Sequence, residues 1–357
     1  MPTPVPLPQD PDLGQLRRRA RELSRAARAG DARALELVAS WAPDRAGGDV
    51  PLNLAQLVLA RRHGFDGWPP LVRHVETVLR LTWVPPTGDA PAGTDPVDDF
   101  LSLACLRYDG DDPAHARAAA ALLTAHPEIG SASVHAAAAT ADVDALRRLA
   151  GPDPHIDVAA VVEAATVLLD HGADPDAGRL WHGLPSPFTV LTGVFGEGEG
   201  GPVAQPRHPA EQPLARLLLE RGADPNDAQT LYNRMFGADD SHLELLFAHG
   251  LGRADGGVWQ QRLGHTLSTP ARMLADQLDW AVLHGLTARV QLLARNGVAI
   301  RGGRWLGETS VAGTAARLGY PEIVEVLVAH GAPRPELTAV DALLAAALSG
   351  DAAAVAA

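Results

Sequence analysis

The chain has 357 residues and no lysine; all 30 of its basic residues are arginine. Without lysine there is no Schiff-base chemistry, no Walker-type phosphate loop and no kinase strand lysine. A single cysteine, Cys105, excludes an internal disulfide and a cysteine-built zinc site within one chain. The 14 histidines include no His-Glu-x-x-His and no helical pair at i, i+4, so neither a metal nor a cofactor is implied. Aromatic residues make up only 4%, so any local concentration of rings stands out. No apolar run approaches the ~20 residues that span a bilayer. The Pro-rich start "MPTPVPLPQDPDLG" lacks the apolar segment of a signal peptide, and the expected location is the cytoplasm. A formal charge of −13 argues against general nucleic-acid binding, which needs basic surface to displace counterions.

What is present is alanine, and 46% hydrophobic residues in helical periodicity. Residues 1–13 read as a disordered tail. Residues 14–83 read as a helical cap or companion domain: two helices within 16–43 broken at Gly30-Asp31, then two within 52–83 separated around Gly64–Pro70. An Arg cluster (Arg17, Arg18, Arg19, Arg21, Arg25, Arg28, Arg33) is the one basic patch, which could touch an anionic membrane or nucleic acid but reads first as a solvated helix face, with Leu16, Leu23 and Leu37 pointing inward. Residues 84–97 have linker composition.

From residue 98 to 357 one pattern recurs. A short Ala-rich helix is followed by a Leu/Val-rich helix, which ends in a polar residue and then Gly. "VLLDHGADPD" at 167–176 and "LLLERGADPN" at 217–226 are its clearest copies, and Gly172, Gly222, Gly250, Gly297 and Gly331 mark the helix ends. Gly172 and Gly222 suit a left-handed cap, and the Asp-Pro after each of these two forbids further helix. His171, His249 and His330 stand just before such glycines, a favourable place for a partly positive side chain. Repetition at this spacing points to stacked units before any other fold.

These residues resemble the ankyrin repeat. "RGADPN" at 221–226 matches the end of its pattern, and "SPFT" at 186–189 is similar to its Thr-Pro-Leu-His turn. "SVH" at 133–135 and "TLYN" at 230–233 are weaker versions, and "AARLGYPEIVEVLVAHGA" at 315–332 covers most of a unit. The resemblance spans roughly 130–357 and implies an all-α ankyrin-like helical repeat solenoid with an N-terminal helical cap. In that family His135 would hydrogen-bond backbone within its turn. The pattern is interrupted near 194–209 and 251–273, the unit ending at Gly172 looks incomplete, and the last copy stops midway, which predicts a frayed or partner-covered end.

The function the resemblance implies is protein–protein interaction, a partner protein binding the concave face and loops of the array. Arg, Trp and Tyr are the types that anchor interfaces. The candidate partner-binding residues are Arg179, Trp181, His182, Phe188, Phe195, Tyr232, Asn233, Arg234 and Trp259. The alternative is an enzyme, or an accessory to one, with a small-molecule pocket built by the 179–209 insertion, where His182 with Glu197 or Glu199 would form the acid/base pair. "GEGEGG" at 196–201 satisfies Gly-x-Gly-x-x-Gly literally, but its two glutamates would repel a pyrophosphate and it reads as a loop.

Overall fold

A computed structural model describes residues 2–8, 10–83, 95–104, 113–140, 158–201, 207–208, 210–253 and 256–356. The chain is mostly helical, with one small three-stranded sheet. It divides into two compact units, Met1–Trp83 with Thr166–Ala357, and Val84–Ala165. The N-terminal block is thus part of the same unit as the C-terminal half, and the units part at 83/84 and 165/166, not at residue 98.

Helix α1 (Leu13–Arg28) starts where the Asp12 carboxylate accepts the Gln15 amide at 3.0 Å. Its spacing buries Leu16, Ala20, Leu23 and Ala27 on one face and leaves the arginines exposed on the other, as the periodicity requires. Asp31 caps α2 (Ala32–Trp41) in the same way, with Gly30 at φ +81° between the helices. Helices α3 (Leu52–Arg62) and α4 (Trp68–Leu81) complete the block, and Ser24 donates its hydroxyl to Val50 O across it. Leu37 is half-buried against this core.

The tail expectation needs correction. Val5 donates its N–H to Arg62 O at 2.8 Å, His63 Nδ1 meets Val5 O at 2.8 Å, and Leu7 packs on Leu16, Phe65 and Leu71. The alternating prolines hold the segment extended. Val5 pairs both its backbone groups with the end of α3, so residues 2–8 are docked.

Unit two contains α5 (Pro96–Ala104), α6 (Pro113–Ala125), α7 (Ile129–Ala132) and α8 (Val134–Ala139), gathered round Phe100, Ala119, Ile129 and Ala136. Cys105, most of the 84–97 segment, part of the 134–151 copy, most of the 150–160 stretch and the His135 side chain lie outside the described residues.

After α9 (Val158–Asp170) comes a hairpin, β2 (Gly178–Trp181) with β3 (Pro187–Thr189), antiparallel with Arg179 opposite Phe188. β1 (Thr82–Trp83) adds to it in parallel, Thr82 facing Leu180. Then follow α10 (Val190–Phe195), α11 (Glu211–Glu220), α12 (Ala228–Arg234), α13 (Ser241–Ala248), α14 (Val258–Leu263), α15 (Pro270–Leu283), α16 (Thr287–Arg295), α17 (Val311–Arg317), α18 (Pro321–Ala329), α19 (Ala339–Ser349) and α20 (Ala352–Ala356). Helices α10, α12, α15, α17 and α19 pack one on the next, and α16 packs on α18. "TLYN" at 230–233 lies inside α12 instead of forming a turn, because Asp227 caps the helix just upstream.

The repeated phrase has one physical meaning. Gly222, at φ +100°, donates to Leu219 O while Ala223 donates to Leu218 O. This paired closure of a helix end needs a left-handed residue. The same two bonds recur at Gly172, Gly250, Gly297 and Gly331. Successive turns are also stitched together: Asp176 Oδ1 accepts the Asp224 amide at 2.8 Å, and Asn226 Oδ1 accepts the Gly252 amide at 2.9 Å. His249 and His330 place Nδ1 2.9 and 2.8 Å from the carbonyls of Leu245 and Val326 in the last turn of their helices.

The N-terminal block and residues 166–357 meet through α4, which packs on β2 and α14. The interruption near 251–273 forms α14 and a short 3-10 turn, and His265 of that turn lies 3.1 Å from His63 O.

Candidate interaction surface

The hairpin is held from below by Asp227. This buried carboxylate accepts from the hydroxyls of Thr189 and Thr192 and from the Thr230 amide. Burial pushes its pKa up, against the opposing pull of those bonds. Thr189 also caps α10, and its bond to the Thr192 amide fixes the step from strand to helix.

Beyond α10 the chain turns through Glu197, a non-glycine residue at φ +62° that is buried. Its carboxylate lies on the Arg207 and Arg234 guanidiniums. Arg234 is 0% exposed and also donates to Phe195 O and Glu211 at 3.2 Å and to Asp239 at 2.8 Å. Burial opposes the charge on Asp239, but the amide and hydroxyl of Ser241 and the two guanidiniums outweigh it and hold the carboxyl at about 2. Arg289, equally buried, donates to Asp240 Oδ1, Met235 O and Gly237 O, each at 2.6 Å, fastening α16 to the 235–240 turn. Charges buried this deeply persist only when paired. The 179–209 insertion and the α12–α13 turn are therefore built on a rigid ionic base.

This geometry sorts the residues singled out from sequence. Arg179 is exposed; Trp181, His182, Phe188 and Tyr232 are half-buried. Trp181 meets His182 at 5.3 Å and Phe188 at 6.2 Å between ring centroids, one cluster on the hairpin. Phe195, Asn233, Arg234 and Trp259 are interior residues and present nothing to a partner. Phe195 lies under the Arg234 guanidinium, and Asn233 accepts from Gln229. Trp259 donates its indole N–H to Asp176 O, with Arg262 over its ring. The acid/base pair is not assembled either: Glu197 is held by its two arginines, Glu199 accepts from the Tyr232 hydroxyl, and His182 packs on Trp181.

A different set of side chains converges. Tyr232 and Phe236 make an edge-to-face pair at 5.2 Å, and Phe236 meets Trp280 edge-on at 4.9 Å. Trp280 stacks on His284 at 3.8 Å and meets Trp305 at 5.7 Å. Arg304 lies 5.3 Å over Trp305. Tyr232, Phe236 and Trp280 are half-buried, while His284 and Trp305 are exposed, Trp305 at 40%. Four of the chain's few aromatic rings thus form one continuous row from the end of α12, over α15, to the 301–309 loop.

That loop is fixed, although it has no regular structure. Asp279, fully buried on α15, accepts amides from Gly303, Trp305 and Leu306, each at 2.9 Å. Asp276 accepts the Arg304 amide at 2.6 Å. Two carboxylates of one helix hold four successive backbone donors and so set the position of Trp305.

No protein-family model, no curated protein and no solved structure matches this chain. Among the described residues no cluster of His, Cys, Asp or Glu could hold a metal ion, and no helix is long and apolar enough to cross a membrane.

Phe236, Trp280, His284, Arg304 and Trp305 escape a reading that follows the interruptions of the repeat. A signal was present: Arg272, Asp276, Trp280 and His284 recur every fourth residue, which places them on one helix face.

Proposed function

We propose that residues 166–357 form an irregular ankyrin-like array and that the protein is a binding module for a partner protein, with the aromatic row as its contact surface. The repeat reading is supported by the closure at five helix-ending glycines and by the bonds that stitch successive turns. The binding reading is carried by one observation: Trp305 is 40% exposed on a loop whose backbone is anchored by buried carboxylates. A large ring held rigid in solvent binds without a further ordering cost, and Trp, Tyr and Arg dominate interface energetics.

The test compares the full chain with its Trp280→Ala/Trp305→Ala variant as bait in native lysate. Both rings are partly exposed, so circular dichroism should be unchanged while a single stoichiometric partner is lost. If the partner persists on the double variant and is lost with Trp181→Ala, the hairpin is the contact surface and the row is not.

A further inference from the structure

The row has a polar margin whose chemistry is one-sided. Arg272, Asp276 and Trp280 share one face of α15, His284 follows at its C-terminal cap, and Arg304 reaches the same Asp276 from the 301–309 loop. Asp276 meets Arg272 Nε at 3.4 Å and Arg304 Nε at 3.2 Å, so one carboxylate serves two guanidiniums. It engages only their Nε atoms. The terminal amino groups of both arginines have no hydrogen-bond partner among the described residues, and the two side chains are 48% and 50% exposed. His284 turns Nδ1 to Trp280 O at 2.9 Å, leaving Nε2 likewise without a partner there. The second acid, Asp279, is buried beneath the loop with its oxygens taken by three amides. Donors therefore crowd the rim of the Trp280–Trp305 pair, while the two acids of α15 beneath it, Asp276 and Asp279, are occupied.

We propose that this rim binds a carboxylate of the partner: a peptide segment in which Asp or Glu adjoins a large apolar side chain. The apolar group lies along Trp280 and Phe236, and the carboxylate bridges the amino groups of Arg304 and Arg272. This deepens the protein-binding reading above and rests on it. Charge complementarity selects the occupant. Arginine forks match a carboxylate in two-pronged geometry. The face of Trp305 is already held by the Arg304 guanidinium, so a cationic partner would meet like charge there. Two guanidiniums against Asp276 leave an excess of one positive charge, which suits a monoanion; a phosphate brings roughly −1.5 to −2. The chain's overall −13 disfavours acidic ligands anywhere but at such a local reversal.

The experiment pans a random peptide display library on the full chain, with the Trp280→Ala/Trp305→Ala variant as counter-selection. Recovered peptides are synthesised with their acidic residue kept, changed to the amide, or changed to phosphoserine, and titrated by fluorescence anisotropy. The expected result is Asp or Glu beside Leu, Ile, Phe or Trp in the recovered set. Affinity should fall roughly tenfold or more on amidation of the peptide. Arg304→Gln should cause a similar loss for the acidic peptide but little for its amide analogue, a coupling that a merely structural role would not produce. Recovered peptides that are basic or uncharged, equal loss for both analogues, or tighter binding of phosphoserine would each overturn the carboxylate assignment while leaving the row a protein-binding surface. Failure to recover any peptide that depends on the two tryptophans would overturn both readings.

Discussion

His242 shows what a single residue contributes in this interior. It is fully buried, 6.2 Å from the Phe195 ring centroid, and neither ring nitrogen makes a well-formed hydrogen bond, the Asp239 backbone being a polar neighbour. Burial, then the positive charges of Arg234 and Arg289, hold its pKa well below 6.5. The fold thus favours the neutral ring, so stability is whole above the unfolded value of 6.5 and is lost as pH falls below it. His242→Leu removes two unsatisfied nitrogens, whose burial costs about 1–3 kcal/mol, and offsets the altered packing. We expect stability within about 1 kcal/mol of wild type at neutral pH and a clear advantage over wild type at pH near 5. Urea denaturation at both values checks this. A wild-type pH dependence identical to that of the variant would refute it. Part of the dependence should survive in both proteins, because burial also lowers His63 and His74.

At the scale of elements, side chains of one segment fix the backbone of another. Asp227 does so for the hairpin, Arg289 for the 235–240 turn and Asp279 for the 301–309 loop. Asp279→Asn keeps the shape but turns a donor toward backbone N–H groups that need an acceptor. A loss of roughly 2–4 kcal/mol is expected from unmet buried donors. Hydrogen exchange should quicken at Gly303, Trp305 and Leu306 ahead of α15 itself; uniform acceleration would mean that the loop is not separately held by this carboxylate. The glycine turns belong to the same scale and were legible in the sequence. A left-handed residue closing a Leu/Val-rich helix is local chemistry, and all five positions have positive φ, two of them followed by Asp-Pro. "TLYN" misled because its resemblance to a turn is outweighed by a stronger local signal, Asp227 with its side chain on the Thr230 amide.

At the scale of the whole molecule, the N-terminal block joins residues 166–357 across a long stretch of sequence. Phe65 meets His74 at 5.0 Å and His265 at 4.6 Å, and β1 pairs with β2. Residues 1–83 and 166–357 should then unfold together. Phe65→Ala removes a core ring at a cost of about 3–5 kcal/mol. Calorimetry should show their shared transition moving down as one, with faster exchange of the Trp259 indole N–H. If α14 keeps its protection while α3 and α4 lose theirs, the block is an independent domain after all.

The sequence by itself determined what depends on neighbours a few residues apart: helix faces, Asp and Thr caps, the glycine closures and the mostly helical class. It also held half of the aromatic row, since Tyr232 with Phe236 and Trp280 with His284 are each four residues apart. Only the tertiary structure decided which charged and aromatic residues face inward. Arg234 and Phe195 read as surface anchors in the sequence, yet both are 0% exposed, because Glu197, Glu211 and Asp239 arrive from other segments to neutralise the guanidinium. Trp305 stands in solvent, because Asp279 holds its backbone from a neighbouring helix. Burial of a charge or exposure of a ring is settled by partners distant in sequence, and the packing of α12, α15 and the 301–309 loop supplies them.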